Sequence, residues 1–165
     1  MLEPQIDPNL LKIILKDYRL SPRGIHGVSH WMRVIRYGLD LAEETGADRP
    51  LVVLFGLLHD SCRRNDSKDR VHGRRAAAYV HQLADRNILR LSPTELITLK
   101  EACAGHTSGL GPDYLPCPTV QTCWDADKLD LHRLGYEIDT RQLWTEAAIQ
   151  RAVNREFIEV EKPDY

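Results

Sequence analysis

A chain of 165 residues is long enough to bury a stable hydrophobic core without disulfide bonds or a structural metal. We therefore expect a single domain spanning residues 1–165. Its 22 basic and 24 acidic residues are interspersed and give a formal net charge of −2. No net positive field therefore draws the protein to a nucleic-acid polymer or a membrane surface, although a local basic cluster could still bind a small anion.

The cysteines and the first residues bear on the cellular compartment. The four cysteines form no CxxC pair, which favours free thiols in a reducing cytosol over a disulfide scaffold. The N-terminal residues lack the basic start and apolar run of a signal peptide, and no segment has the apolar length of a membrane span. We therefore expect a cytoplasmic protein, and the composition predicts no particular oligomeric state.

Apolar residues recur at helical spacing along the chain without convincing period-two alternation, which predicts an all-helical fold. A short helix is predicted from about Leu10 to Tyr18. Ser29 is then the expected N-cap of a second helix, which runs to about Glu44 and ends at Gly46. This assignment places His30 in the first turn of that helix.

The middle of the chain predicts a buried helix, a loop and an amphipathic helix. Residues Pro50 to Asp60 are apolar on every side, as in a central helix that packs against several neighbours. The polar stretch from Ser61 to Arg70 is typical of a loop. Helical periodicity resumes from His72 to about Arg86.

The last third of the chain predicts three further helices. Ser92-Pro-Thr-Glu95 has the pattern of a capping box and should open a helix that ends near Gly105. A loop rich in glycine and proline is expected from Thr107 to Pro118. Two more helices are predicted from Thr119 to about Leu134 and from Arg141 to about Val153.

Two strong metal ligands, His59 and Asp60, stand where the apolar central helix ends. A buried carboxylate beside a buried imidazole is unfavourable unless a positive charge neutralises it. A divalent cation would do so, and the negative end of the helix dipole favours a cation there. The ordinary alternative is a surface dipeptide at a helix end.

Three carboxylates and a lysine lie in the run Asp125-Ala-Asp-Lys-Leu-Asp130, inside the helix predicted from Thr119. Asp127 shares a helix face with the apolar residues at positions 120, 123 and 131, which turns it toward the core. Asp125, by contrast, fits a solvated acidic face. Asp130, three residues beyond Asp127, is placed to orient a metal-bound histidine.

The ordered set formed by His30 with the following Arg33-Val34, then His59-Asp60, then Asp127 within its aspartate-rich run resembles the HD-domain superfamily. The match covers residues from about 24 to 135. These are helical, metal-dependent phosphohydrolases, so the resemblance implies an all-α, compact HD-domain helical bundle. It also assigns the ligands of a first metal to four residues: His30, His59, Asp60 and Asp127.

HD domains that hold two metals carry two extra histidines between the His-Asp pair and the last aspartate. His72 and His106 stand in that interval, so the resemblance implies a second metal ion bridged to the first by Asp60. No carboxylate stands close before His30, where some two-metal relatives have one. A helix cap or a solvated side chain is the alternative for each histidine. No role is expected for the remaining ones: His26, in a loop, and His81 and His132, on helix surfaces.

Imidazole and carboxylate ligands without thiolates suit Mn²⁺, Fe²⁺, Co²⁺, Ni²⁺ or Zn²⁺, so we expect one or two divalent transition-metal ions of unspecified identity. Arg63 occupies the place where related HD proteins often carry a phosphate-contacting lysine, and Lys128 follows Asp127. We expect catalytic roles for Asp60, Arg63 and Lys128, with the two cations also binding substrate; surface solvation is the alternative for both. Further arginines could make the rim of the site basic: Arg64, Arg70, Arg74 and Arg75.

Three functions are compatible with this pattern. The prediction is hydrolysis of a small phosphate ester, with a nucleotide as the commonest substrate type in the family, so the expected partner is a small phosphorylated molecule. A di-iron oxygenase is the first alternative, because inositol oxygenase and relatives that cleave carbon-phosphorus bonds use the same ligand order. A non-catalytic ligand-binding domain is disfavoured, since every ligand of the first metal is present.

Overall fold

The computed structural model describes residues 6–107 and 115–159, and helices are the only regular secondary structure within those ranges. The all-α fold predicted from the sequence is therefore confirmed. None of these helices combines the length and hydrophobicity that a membrane crossing requires. The helices, in chain order, are α1 (Pro8–Asp17), α2 (Val28–Thr45), α3 (Arg49–Leu58), α4 (His72–Asp85), α5 (Pro93–Gly105), α6 (Pro118–Leu129), a 3₁₀ helix (Asp130–Leu134), a second 3₁₀ helix (Thr140–Gln142) and α7 (Glu146–Asn154).

Local sequence signals set several helix ends. Ser92 accepts a hydrogen bond from the Glu95 backbone at 3.3 Å, while the Glu95 carboxylate accepts one from the Ser92 backbone at 2.6 Å. This is the capping box predicted for α5. Asp48 caps α3 by accepting from the Leu51 N–H at 3.0 Å. Helix α2 ends at Gly46, whose φ of 69° lies in the left-handed region that glycine adopts without strain.

The start of α2 differs from the prediction. Val28 is its first residue and Gly27 its N-cap, without a side-chain cap, so the prediction of Ser29 as N-cap was wrong. The Val28 N–H donates to the Pro22 carbonyl at 2.8 Å, and a Cβ on Gly27 would lie 2.2 Å from that oxygen. A tightly closed turn therefore starts the helix. His30 still lies in the first turn, as expected.

The C-terminal helices also depart from the expected bounds. The helix predicted to reach Leu134 stops at Leu129 and continues as the first 3₁₀ helix. The change of winding leaves Leu131 41% exposed, so this residue is not on the buried face where the periodicity placed it. Helix α7 begins at Glu146, after the Thr145 hydroxyl caps it by accepting from the Ala148 N–H at 3.2 Å. The predicted loop from 107 to 118 lies mostly outside the described residues.

The hydrophobic core brings the ends of several helices to one place. Helix α2 packs against both α3 and α6, and α4 packs against α5. Burial of each large apolar side chain contributes about 1.5–3 kcal/mol to this packing. Side chains that are almost completely buried come from all five helices: Trp31, Ile35, Leu41, Phe55, Leu58, Leu83, Leu99 and Leu129.

Asp125 is buried, so the expectation of a solvated acidic face was wrong. One carboxylate oxygen accepts from the Trp144 N–H at 2.9 Å, and the other accepts from the Thr145 N–H at 2.8 Å and the Thr145 hydroxyl at 2.7 Å. Burial raises the pKa of Asp125, and these hydrogen bonds oppose the rise. The side chain ties α6 to the start of α7.

We predict that Asp125→Ala lowers the free energy of unfolding by about 3 kcal/mol, because it leaves two backbone N–H groups without their acceptor in a buried region. Urea denaturation measures this change. Asp85→Ala is the matched control, since the Asp85 side chain is 64% exposed, and it should change stability by less than about 0.5 kcal/mol. Equal losses in the two variants would contradict the anchoring role of Asp125.

Candidate metal centre

Asp60 lies at the middle of a cluster of imidazoles and is 3% exposed. Its Oδ1 is 2.9 Å from His72 Nε2 and 3.6 Å from His106 Nε2. Its Oδ2 is 3.5 Å from His30 Nε2 and 3.8 Å from His59 Nε2. Each carboxylate oxygen therefore faces a different pair of histidines, so each pair could hold an ion together with one oxygen of Asp60.

Asp127 completes the half of the cluster that contains His30 and His59. Its Oδ1 lies 3.5 Å from the Nε2 atom of each ring, and the two Nε2 atoms are 3.1 Å apart. The side chain is 23% exposed and faces a cleft rather than the apolar core. All six predicted ligands come together in three overlapping groups whose donor atoms lie within 4.8 Å of one another: His30, His59 and Asp60; Asp60, His72 and His106; His59, His106 and Asp127.

In each of the four imidazole rings, the nitrogen that points away from the cluster, Nδ1, forms a hydrogen bond to an oxygen acceptor. Carbonyl and carboxylate oxygens accept hydrogen bonds, so Nδ1 carries a proton, and in the neutral ring Nε2 keeps a lone pair directed into the cluster. Two of these rings lie at the carboxyl ends of α3 and α5 and bond to the last turns of their own helices. The acceptors are Asp130 Oδ2 for His30 at 2.6 Å, the carbonyls of Phe55 and Gly56 for His59 at 3.2 and 3.1 Å, the Asp69 carbonyl for His72, and the Cys103 carbonyl for His106 at 2.7 Å.

The cluster consists almost entirely of groups that accept hydrogen bonds. Four lone pairs and two carboxylates meet there, and Arg63 Nη1 supplies a donor at 3.4 Å from Asp60 Oδ1 and 3.1 Å from His72 Nε2. Such a concentration of acceptors is unfavourable in a buried region unless a cation lies between them. Nitrogen and oxygen donors without thiolates suit divalent transition-metal ions. The residues therefore fit one or two such ions.

The electrostatics of the cluster agree with this fit. Burial disfavours the charged form of His30, but the carboxylates of Asp130, Asp60 and Asp127 outweigh it and raise the pKa of His30 to about 9. Burial also opposes ionisation of Asp60 and Asp127, yet the surrounding imidazoles, His59 foremost, hold the pKa of each carboxyl below its ordinary value. The site is built to hold positive charge.

Asp130 positions His30 by accepting a hydrogen bond from Nδ1, the ring nitrogen that points away from the cluster. The carboxylate is 2% exposed, and besides the His30 ring it accepts from Arg33 Nε at 2.6 Å and from Arg33 Nη2 at 3.2 Å. Arg133 Nε lies 3.3 Å away on the other side. Two guanidinium groups therefore hold the Asp130 carboxylate in place, which fixes the orientation of the His30 ring, as the spacing of Asp130 from Asp127 suggested.

The metal-ligand cluster forms the floor of a cleft of about 680 Å³. Arg63 lines this cleft and is 8% exposed, with its Nη2 donating to the Ser67 carbonyl at 2.8 Å and its Nε buried without a partner among the described residues. Lys128 does not line the cleft, because its Nζ donates to the Gln142 carbonyl. Consecutive helical residues point about 100° apart, so the neighbour of Asp127 faces elsewhere.

Two residues of the site were missed by the sequence analysis. His26 lies in a loop, as expected, but it lines the cleft, and its Nδ1 is 3.0 Å from Asp66 Oδ1. Gly73 has no space for a side chain, since a Cβ there would lie 2.4 Å from the Cys103 carbonyl and 3.1 Å from the His106 ring. The position of a glycine directly after a candidate ligand was the available signal for the second case. His81 and His132 are exposed, as predicted.

The fold has a counterpart among solved structures. A protein from an uncultured Thermotogales bacterium, described as a predicted HD superfamily hydrolase, matches with a TM-score of 0.65 and 22% sequence identity. The match covers 90% of this chain and 83% of that one, and it confirms the HD-domain fold expected from the sequence. No protein-family model and no curated protein matches the chain.

We predict that Gly73→Ala reduces the bound metal by about one ion per chain, because the new methyl group pushes α4 from α5 and separates His72 from His106, whose Nε2 atoms are 2.8 Å apart. Elemental analysis of the purified protein measures the count. Gly38→Ala is the control, since a Cβ there would lie 2.4 Å from the Val52 side chain, outside the cluster. Loss of metal in both variants would indicate general overpacking.

Proposed function

We propose that this protein is a metal-dependent phosphohydrolase that acts on a small phosphate ester, with a nucleotide as the substrate. One observation carries the proposal: the two oxygens of Asp60 face two separate pairs of imidazoles on the floor of an open cleft. The fold shared with a predicted HD superfamily hydrolase supports a hydrolytic reaction.

The imidazoles of the cluster would hold the metal ions, and Arg63 would bind the phosphoryl group. Bound divalent ions supply a lowered pKa for water and charge stabilisation for phosphoryl oxygens. The four imidazoles would hold those ions through Nε2, and their Nδ1 hydrogen bonds keep the rings in place. Arg63 would bind a phosphoryl oxygen in this proposal, because its guanidinium lines the cleft and contacts Asp60 Oδ1 and His72.

The remainder of the cleft suits the organic part of a nucleotide. Leu131 and Leu134 are 41% and 42% exposed, and both line the cleft together with the 50% exposed Val71. Exposed leucines beside a polar cluster offer apolar surface for a flat base or a ribose. The 3₁₀ winding after α6 is what turns Leu131 into this position.

We predict that His59→Ala loses most of its bound metal and that its rate of phosphate release falls by about 100-fold or more, since a direct ligand is removed. Elemental analysis and a phosphate-release assay across nucleoside monophosphates give the two measurements. His81→Ala, which removes an exposed histidine, should match the unaltered protein in both. Two iron ions per chain with no phosphate release from any nucleotide would overturn the proposal in favour of an oxygenase.

A second prediction separates two aspartates of α6 that are two residues apart. Asp127→Ala should abolish phosphate release while the free energy of unfolding of the metal-free protein changes by less than about 1 kcal/mol, because its side chain opens to the cleft. Asp125→Ala should show the opposite pattern, with lowered stability and near-normal activity at temperatures where it stays folded. A large activity loss confined to Asp125→Ala would refute the ligand assignment.

A further inference from the structure

Besides Arg63 and Arg133, which are paired with Asp60 and Asp130, three further cations line the cleft outside the metal-ligand cluster. Lys68, Arg70 and Arg74 come from the end of the loop after Asp60 and from the first turn of α4, and all three are exposed. Their side chains make no hydrogen bond or ion pair with another described residue, whereas the neighbouring Arg75 is paired with Asp69. Within residues 6–107 and 115–159, this basic wall is therefore available to an anion.

The carboxylates that line the cleft leave the basic wall unneutralised. Among the described lining residues, Asp60 and Asp127 belong to the metal-ligand cluster, and Asp69 is held by Arg75 and by the Arg64 N–H at 3.0 Å. Like charges gathered on one wall repel one another, and an anionic group between them offsets that repulsion. A protein with a net charge of −2 therefore presents a locally positive surface at its cleft.

A substrate with a single phosphate would leave the basic wall without an anionic partner. A single phosphoryl group on the cluster floor would be neutralised by Arg63 together with the metal ions that the cluster would hold. Arg70 and Arg74 lie two residues before and two residues after His72, so they flank the half of the cluster that His72 and His106 form. A substrate that extends from the floor of the cleft to this wall would need a second negative group beside Arg70 and Arg74.

We propose that the substrate carries a second phosphate, which Arg70 and Arg74 bind with the help of Lys68 while the first lies on the cluster floor. The substrate class is thus a nucleoside with two phosphates. In the reaction, the oxygen of water forms a bond to the phosphorus on the floor, the bond from that phosphorus to the leaving oxygen breaks, and one water proton goes to the leaving oxygen. The second phosphate is not cleaved. This inference rests on the proposed function.

Steady-state kinetics test the inference with nucleoside 5′-monophosphates and the corresponding 5′-diphosphates and 3′,5′-bisphosphates. The unaltered protein should prefer a two-phosphate substrate in kcat/KM. The double variant Arg70→Ala, Arg74→Ala should lose about tenfold for that substrate, mainly through KM, and far less for the monophosphate. The preference should also shrink as ionic strength rises.

Arg86→Ala combined with Arg90→Ala is the matched control, because it removes two exposed arginines at the same spacing away from the cleft. It should leave both substrates unaffected. Equal kcat/KM for one-phosphate and two-phosphate substrates, or equal loss for both in the cleft variant, would overturn the inference while leaving a phosphohydrolase.

Calorimetric titration with a nucleoside 3′,5′-bisphosphate separates the inference from the proposed function. If the protein releases phosphate from none of the substrates but still binds the bisphosphate more tightly than the monophosphate, and loses that difference only in the cleft variant, the hydrolase proposal fails and the second anion site stands. If the two ligands bind equally, the second site fails.

Discussion

The burial of Asp60 among four imidazoles is the constraint on which the site depends. Each ring presents a lone pair to the cluster because its other nitrogen donates to a carbonyl or carboxylate, and Asp60 adds two more acceptors. Without a cation, this arrangement would lose hydration with nothing to replace it. The helix ends that hold the rings therefore suit a bound divalent cation, and the same arrangement raises the pKa of His30.

Helix packing brings these groups together from distant parts of the chain. The start of α2, the end of α3, the start of α4 and the end of α5 each contribute one histidine, and α6 contributes Asp127. The absence of a side chain at Gly73 lets α4 and α5 approach closely enough for their histidines to meet. A methyl group at that position would act on the metal site through the backbone of the neighbouring helix, although it would touch no metal.

Three aspartates along α6 and its extension perform separate tasks because a helix turns about 100° per residue. Asp127 faces the cleft as a candidate ligand, Asp125 faces the start of α7 as an anchor, and Asp130 faces His30 as a positioning group between Arg33 and Arg133. The same rotation directs Lys128 toward the Gln142 carbonyl. Adjacent charged residues that look alike in the sequence therefore act in different parts of the molecule.

The sequence by itself determined the helical class and most helix positions, because helical periodicity and capping residues are local properties. Its resemblance to HD domains proposed the six candidate ligands, whose donor atoms the fold brings together. The sequence did not determine that Asp125 is buried, that Leu131 leaves the core, or that His26 and Gly73 belong to the site. Several of those outcomes depend on distant partners: Trp144 and Thr145 lie 19 and 20 residues from Asp125, and Asp66 lies 40 residues from His26. Only the packing of helices against one another decides which face of a charged segment is covered, so periodicity alone assigned Asp125 to the solvent.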